Sequence, residues 1–149
     1  MDARNPVIRR AQPGDQSELW PLVCQFATSF QPERAAFARS FSALLDRDDT
    51  AVLVAEIEET IVGYLLASVH GTLFANGPVA WVEEIMVAEA ARRSGIGRAL
   101  MGEAERWAMR IPTAYIGLAT RRASEFYEAL GYKQSASFFN KLFTDRNAS

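Results

Sequence analysis

The segment that decides the fold runs from Val82 to Leu100 and reads VEEIMVAEAARRSGIGRAL. Its first part, up to Val87, is largely apolar and predicts a strand. A basic loop with Gly95 and Gly97 follows, and apolar residues then recur at helical spacing. The segment is therefore predicted to be a strand that passes through a short loop into a helix starting near Gly97.

The loop has the properties of an anion-binding site. Gly95 and Gly97 let the backbone approach a ligand closely, and the first N–H groups of the following helix have no partner within it. The helix dipole and the charges of Arg92, Arg93 and Arg98 favour a phosphate there. The alternative interpretation is a plain turn beside a solvated arginine face. Two familiar phosphate loops are excluded, because the glycine-lysine pair of a Walker loop and the third glycine of the dinucleotide motif are both missing.

Hydrophobic periodicity predicts alternating groups of helices and strands on either side of this segment. Upstream we expect a strand at Val7 and Ile8, a helix after Pro13–Asp15, a second helix over Phe37–Leu45, and strands over Ala51–Ile57, Ile61–Val69 and Val79–Val87. Downstream we expect the helix closed by Pro112, a strand over Tyr115–Ala119, a helix over Ala123–Leu130 stopped by Gly131, and a last strand over Tyr132–Phe143. The predicted fold class is α/β, with a mixed sheet and helices on both faces.

Composition narrows the possible functions. The chain has 149 residues, 49% of them hydrophobic, so we expect a single domain over residues 1–149. A net charge of −2 disfavours nucleic-acid and anionic-membrane binding. Cys24 is the only cysteine and His70 the only histidine, which predicts no disulfide and no metal site. With no apolar run of about 18 residues, we expect no membrane span and a cytoplasmic location.

Two short motifs stand out in the chain. The residues Arg92–Gly97 fit the pattern [QR]-x-x-G-x-[GA], and Ala123–Tyr132 fit A-x-x-F-Y-x-x-x-G-[FY]. Together they resemble the motifs of the GNAT superfamily of acetyl-CoA-dependent N-acetyltransferases. The resemblance extends from Val7 to Phe143 and implies a mostly antiparallel central sheet that splays after its fourth strand. It also implies acetyl-CoA as cosubstrate.

The resemblance assigns a set of cofactor contacts. The pantetheine arm would lie along backbone groups of Ile85, Met86 and Val87, as a strand added to the sheet. The pyrophosphate would lie on the loop, contacted by Arg92, Arg93, Ser94, Gly95, Ile96, Gly97 and Arg98. Thr120 stands where many relatives have asparagine, and that position is a further expected contact.

Acetyl transfer to an amine requires removal of a proton from the amine and delivery of one to the leaving thiolate. The resemblance implies direct attack in a ternary complex, with Tyr127 as the acid and as a cofactor contact. Glu83 and Glu84 are the candidates for the base, or for a carboxylate that attracts a cationic substrate. Because adjacent strand residues point to opposite faces, only one is expected to face the acetyl group, and the resemblance favours Glu83 unless a β-bulge reverses the parity.

The acceptor is a small-molecule or peptide amine that the sequence does not identify. Trp20 and Phe30 are candidates for the acceptor wall, whereas Phe26 and Cys24 are expected in the core and His70 at the surface end of a strand. A noncatalytic acyl-CoA-binding module of the same fold is the alternative function. Aromatic residues on both faces of the expected last strand leave a homodimer as an open alternative to a buried strand.

Overall fold

The computed structural model of the protein describes residues 5–143. These residues divide into two compact units, of which the first ends at Leu118 and the second begins at Ala119. The first unit contains β1 (Val7–Arg10), α1 (Gln16–Phe26), α2 (Arg34–Leu45), β2 (Thr50–Ile57), β3 (Thr60–His70), β4 (Val79–Val87), α3 (Ile96–Arg110) and β5 (Ile116–Leu118). The second contains α4 (Ser124–Ala129). These elements confirm the predicted order up to α4.

One mixed sheet organises the first unit. Its strands follow the chain order β1-β2-β3-β4-β5, antiparallel throughout except that β4 and β5 run parallel. The hairpin between β2 and β3 turns at Glu58 and Glu59, whose φ angles are +51° and +66°. Two consecutive positive φ angles are typical of the turn that matches the twist of a hairpin. The mixed sheet, together with the helices of this unit, confirms the predicted α/β fold class.

Helices cover both faces of this sheet. Leu19 and Leu22 of α1 and Phe41 of α2 form a core cluster with Val54 of β2 and Tyr64 of β3. Residues one position away in the strands face the other side, because side chains alternate along a strand. There Gly63 faces α3: a Cβ at this position would lie 3.4 Å from both Ile96 Cγ2 and Leu100 Cδ1, and only 3.0 Å from the Met86 carbonyl oxygen of β4.

Three expectations about individual segments are wrong. Residues 132–143 form no strand within the described part of the chain, so the expected last strand over Tyr132–Phe143 is absent there. Alternating side chains favour extended backbone, but a strand also needs a neighbour for its N–H and C=O groups. Cys24 and Phe26 are exposed rather than in the core, because the buried stripe of α1 runs through Leu19 and Leu22.

Among residues 5–143 no helix is both long enough and apolar enough to cross a membrane.

Candidate active site

The sheet opens partway along β4. Strand β5 pairs with β4 only at Ala80, Val82 and the residue between them, while β3 continues alongside β4 as far as Val87. Within the described residues, positions 83–87 of β4 therefore have no neighbouring strand on the β5 side. Backbone groups on that side are available to an extended ligand.

Gly117 allows the short pairing that precedes this opening. It lies opposite Trp81, and a Cβ at position 117 would lie 3.1 Å from Trp81 Cζ3. That distance is tighter than nine in ten real Cβ contacts, so a larger residue would require the indole ring or β5 to shift by a few tenths of an ångström. The opening thus follows a close contact between the two strands.

The loop after β4 exposes backbone donors. Arg93 and Gly95 have φ angles of +66° and +85°, the left-handed region that Gly95 adopts without steric cost. The first helical hydrogen bond of α3 runs from the Ala99 N–H to the Gly95 carbonyl at 3.0 Å. The N–H groups of residues 96–98 come before it and have no acceptor within the helix. This geometry, with the helix dipole, suits an anion.

Two side-chain hydrogen bonds hold the loop. Arg92 Nε donates to the Val87 carbonyl at 3.0 Å, and the Ser94 hydroxyl donates to the Ala91 carbonyl. Ile96, with only 2% of its surface exposed, anchors the start of α3 in the core. Arg93 and Arg98 are exposed at the loop surface.

A groove of about 410 Å³ lies on the first unit, and its lining comes from the end of α2, the loop between α2 and β2, and the strands β2, β3 and β4. Its lining residues are Leu44, Arg47, Asp49, Thr50, Leu66, Ser68, Val69, His70, Glu83 and Glu84. The only positive side chain among them, Arg47, forms a double hydrogen bond with Asp49 (2.9 and 2.8 Å). Excluding that pair, the remaining ionisable residues are the two glutamates of β4 and the exposed His70.

Both glutamates line this one groove, although adjacent residues of a regular strand point to opposite faces. The reason is a β-bulge: Leu66 pairs with Glu84, whereas Ala67 pairs with Val82, which leaves Glu83 as the extra residue. A bulge interrupts the alternation of side chains between faces.

The two carboxylates have different surroundings. Glu83 is exposed and accepts a hydrogen bond from Ser68 Oγ at 3.0 Å. Glu84 is half-buried and accepts one from the Tyr64 hydroxyl at 2.7 Å. Burial raises the pKa of Glu84 above its ordinary value, the hydrogen bond from Tyr64 opposes this, and the charge of Glu83 adds to the increase. Glu84 is therefore a stronger base than a carboxylate with the ordinary pKa.

The second unit holds Tyr127 within an aromatic cluster. Its ring makes edge contacts with Phe126 and Tyr132, at centroid distances of 4.9 and 6.0 Å. Burial raises the pKa of the Tyr127 hydroxyl above its usual 10.0, so it stays protonated at neutral pH. The Thr120 hydroxyl accepts a hydrogen bond from the Ala123 N–H at 3.1 Å, just before α4 begins.

The structure does not bring Trp20 or Phe30 to the groove. The Trp20 ring packs on Phe37 at 5.4 Å and lies under the Arg34 guanidinium at 5.4 Å, while Phe30 is half exposed. His70 ends β3 at the surface as expected, but it also lines the groove.

The sequence model of the acetyltransferase (GNAT) family matches residues 17–132. The chain belongs to the GNAT family. A relative described as an uncharacterized N-acetyltransferase, from Archaeoglobus fulgidus, is 29% identical over 142 residues, which cover 87% of this chain and 95% of the relative.

Solved structures share this GNAT fold. A transcriptional regulator from Bacillus halodurans superimposes with a TM-score of 0.83 and 26% identity, covering 93% of this chain and 100% of the other. An aminoglycoside N-acetyltransferase in complex with CoA superimposes with a TM-score of 0.80 and 20% identity, covering 95% and 99%. At that identity the second likeness shows the fold alone.

The sequence patterns do not reveal Tyr64 or the contribution of the α2 end to the groove of this GNAT protein. Tyr64 lies 20 residues from Glu84 in sequence, and only the register of β3 against β4 brings them together. One general signal was present, because a tyrosine in a buried strand usually has a hydrogen-bond partner for its hydroxyl.

Proposed function

We propose that this protein is an acetyl-CoA-dependent N-acetyltransferase that acetylates a primary amine by direct attack within a ternary complex. One observation carries the proposal: β4 places Glu84 in a groove and then continues into an edge that β5 leaves open. An acceptor site and a site for an extended cosubstrate thus adjoin on one strand.

The residues present fit acetyl-CoA. The open backbone at Ile85, Met86 and Val87 suits the amide groups of a pantetheine arm. The free N–H groups at the start of α3, with Arg93 and Arg98, suit the pyrophosphate. When bound, acetyl-CoA supplies an acetyl group activated as a thioester.

Glu84 is the residue we propose as the base. A substrate amine arrives protonated and must lose a proton before it can attack a carbonyl carbon. Partial burial of Glu84 gives its carboxylate a higher proton affinity than an exposed glutamate has. Glu83, exposed on the bulge, attracts the positive charge of the incoming ammonium group.

We assign the role of acid to Tyr127. Its hydroxyl donates the proton that neutralises the thiolate left after transfer, and the raised pKa ensures that the proton is present at neutral pH. Cys24 takes no part, since direct attack needs no covalent enzyme intermediate.

The test is release of free CoA thiol from acetyl-CoA, with mass spectrometry of the acetylated product, across a panel of amines and peptides. We expect amine-dependent turnover by the native protein. Glu84→Gln should lower kcat/KM at neutral pH by about 10²–10⁴-fold, the usual contribution of a general base. Glu83→Gln is the matched control one residue away, and its effect should fall mainly on KM.

Two outcomes would contradict the proposal. If acetyl-CoA protected the protein against heat but no amine in the panel were acetylated, the noncatalytic acyl-CoA-binding module would be the better description. If Glu83→Gln lost more turnover than Glu84→Gln, the assigned roles of the two carboxylates would be reversed.

A further inference from the structure

Tyr64 lies in the middle of β3 with its ring in the core and its hydroxyl on Glu84. Only 3% of the residue is exposed, and the ring belongs to the cluster that includes Leu19 and Phe41. The hydroxyl donates to Glu84 Oε1 at 2.7 Å. The strand pairing and the core thus hold the donor in place independently of Glu84.

The bond acts on both the charge and the orientation of the carboxyl group. A hydroxyl that donates to a carboxylate stabilises the ionised form, in opposition to the effect of burial. A bond to one oxygen also restrains rotation of the side chain and leaves the other oxygen, Oε2, for a proton. A general base needs both properties, because it must be ionised and correctly aimed when the substrate arrives.

We propose that Tyr64 is a positioning residue for acetyl transfer, which keeps Glu84 ionised and directs its Oε2 oxygen into the groove. This inference rests on the proposed function, in which Glu84 is the base. It gives a role to a buried hydroxyl that the reaction itself does not use.

The other ionisable groups near Glu84 raise its pKa, have hydrogen-bond partners of their own, or lie exposed. Glu83, next to it on β4, raises the pKa of Glu84. Across the groove Arg47 is paired with Asp49, and His70 lies at the exposed end of β3. On α1, which packs against β4, Glu18 accepts from the Ile61 N–H at 3.2 Å and Cys24 is exposed.

The test compares Tyr64→Phe with the native protein and with Tyr115→Phe, a matched change at a half-exposed tyrosine. The phenylalanine keeps the buried ring and removes only the hydroxyl. We expect the acid limb of the pH profile of kcat/KM to move upward by about one pH unit in Tyr64→Phe, and to stay in place in Tyr115→Phe. The carboxyl carbon of Glu84, followed by ¹³C NMR, should show the same upward shift without any substrate.

The NMR titration separates failure of this inference from failure of the proposed function. An unchanged Glu84 midpoint in folded Tyr64→Phe would overturn the inference even if the native protein were an active acetyltransferase. A shifted Glu84 midpoint in a protein that acetylates no amine would confirm the hydrogen bond between Tyr64 and Glu84. Glu84 would then not be a catalytic base, so this result would count against the inference.

A measurement on the native protein covers the case in which Tyr64→Phe does not fold. The ring carbon of Tyr64 that bears the hydroxyl should change its chemical shift with the same midpoint as the Glu84 carboxyl carbon. Independent midpoints would overturn the inference.

Discussion

At the residue scale, a charged cluster joins the start of the chain to the sheet. Arg9 of β1 donates two hydrogen bonds to Asp15, at 2.8 and 3.0 Å, and reaches Glu56 of β2 at 3.1 Å. Asp15 also accepts from the Gln12 N–H at 2.7 Å and is only 8% exposed. The cluster ties the turn before α1 to two strands.

Asp15→Asn should therefore lower the free energy of unfolding at neutral pH by about 1–2 kcal/mol, because it removes a charge-assisted bond in a partly buried place. The hydrogen bond from Arg9 holds the pKa of Asp15 below its ordinary value of 3.8 in the folded protein. The stabilisation that Asp15 contributes is therefore complete at pH values well above 3.8. It is lost as the pH falls through the lower pKa that Asp15 has in the folded protein.

Urea unfolding of the native protein and Asp15→Asn at neutral and strongly acidic pH checks this prediction. The difference in the free energy of unfolding between the native protein and Asp15→Asn should be large at neutral pH and should become smaller in acid. Asp49→Asn serves as the control, since its pair with Arg47 is exposed and should add little. An equal difference at both pH values would show that the charge of Asp15 is not the cause.

At the element scale, the residue that immediately precedes α3, Gly95, has a left-handed backbone conformation. Gly95 has a φ of +85°, and a Cβ there would meet nothing within 4 Å. Gly95→Ala should therefore destabilise the protein by about 1–2 kcal/mol through backbone strain alone. Gly102, inside the same helix, is the matched position: a Cβ there would meet only the Arg106 guanidinium at 3.6 Å.

Gly102→Ala should stabilise the protein by about 0.5–1 kcal/mol, because alanine loses less conformational freedom in a helix. The two glycine-to-alanine changes are thus expected to shift the midpoint of urea unfolding in opposite directions. A stabilising effect of Gly95→Ala would mean that the loop adopts a different backbone conformation from the one described.

Elements also show where sequence patterns are reliable. The strand that the sequence predicts over Val79–Val87 has the same two ends in the structure, and α1 and α2 lie on either side of Pro32 as expected. Periodicity within an element is local information. It does not reveal the bulge at Glu83 or the missing strand over Tyr132–Phe143, since both depend on pairing with another segment.

At the scale of the whole molecule, acetyl-CoA should raise the midpoint of thermal unfolding. A ligand that binds only the folded state at about 100 times its Kd adds about 2.7 kcal/mol of stability, which corresponds to an increase of about 5–10 °C for a domain of this size. Differential scanning fluorimetry with and without acetyl-CoA measures this increase in the midpoint of thermal unfolding.

Arg93→Ala, in the loop, should reduce this increase, because it removes a charge next to the expected pyrophosphate. Arg106→Ala removes another exposed arginine, from the body of α3, where it pairs with Glu103, and should leave the increase unchanged. Equal losses in both variants would indicate an effect of net charge rather than of the loop.

The sequence by itself determined the family, the order of elements up to α4, and the loop over Arg92–Gly97 that joins β4 to α3. These follow from local patterns, namely periodicity, glycine positions and motif spacing. Only the tertiary structure decided that Glu83 and Glu84 share a groove and that Tyr64 holds Glu84. Strand register creates both arrangements, and register depends on how distant segments pair rather than on the residues of either segment alone.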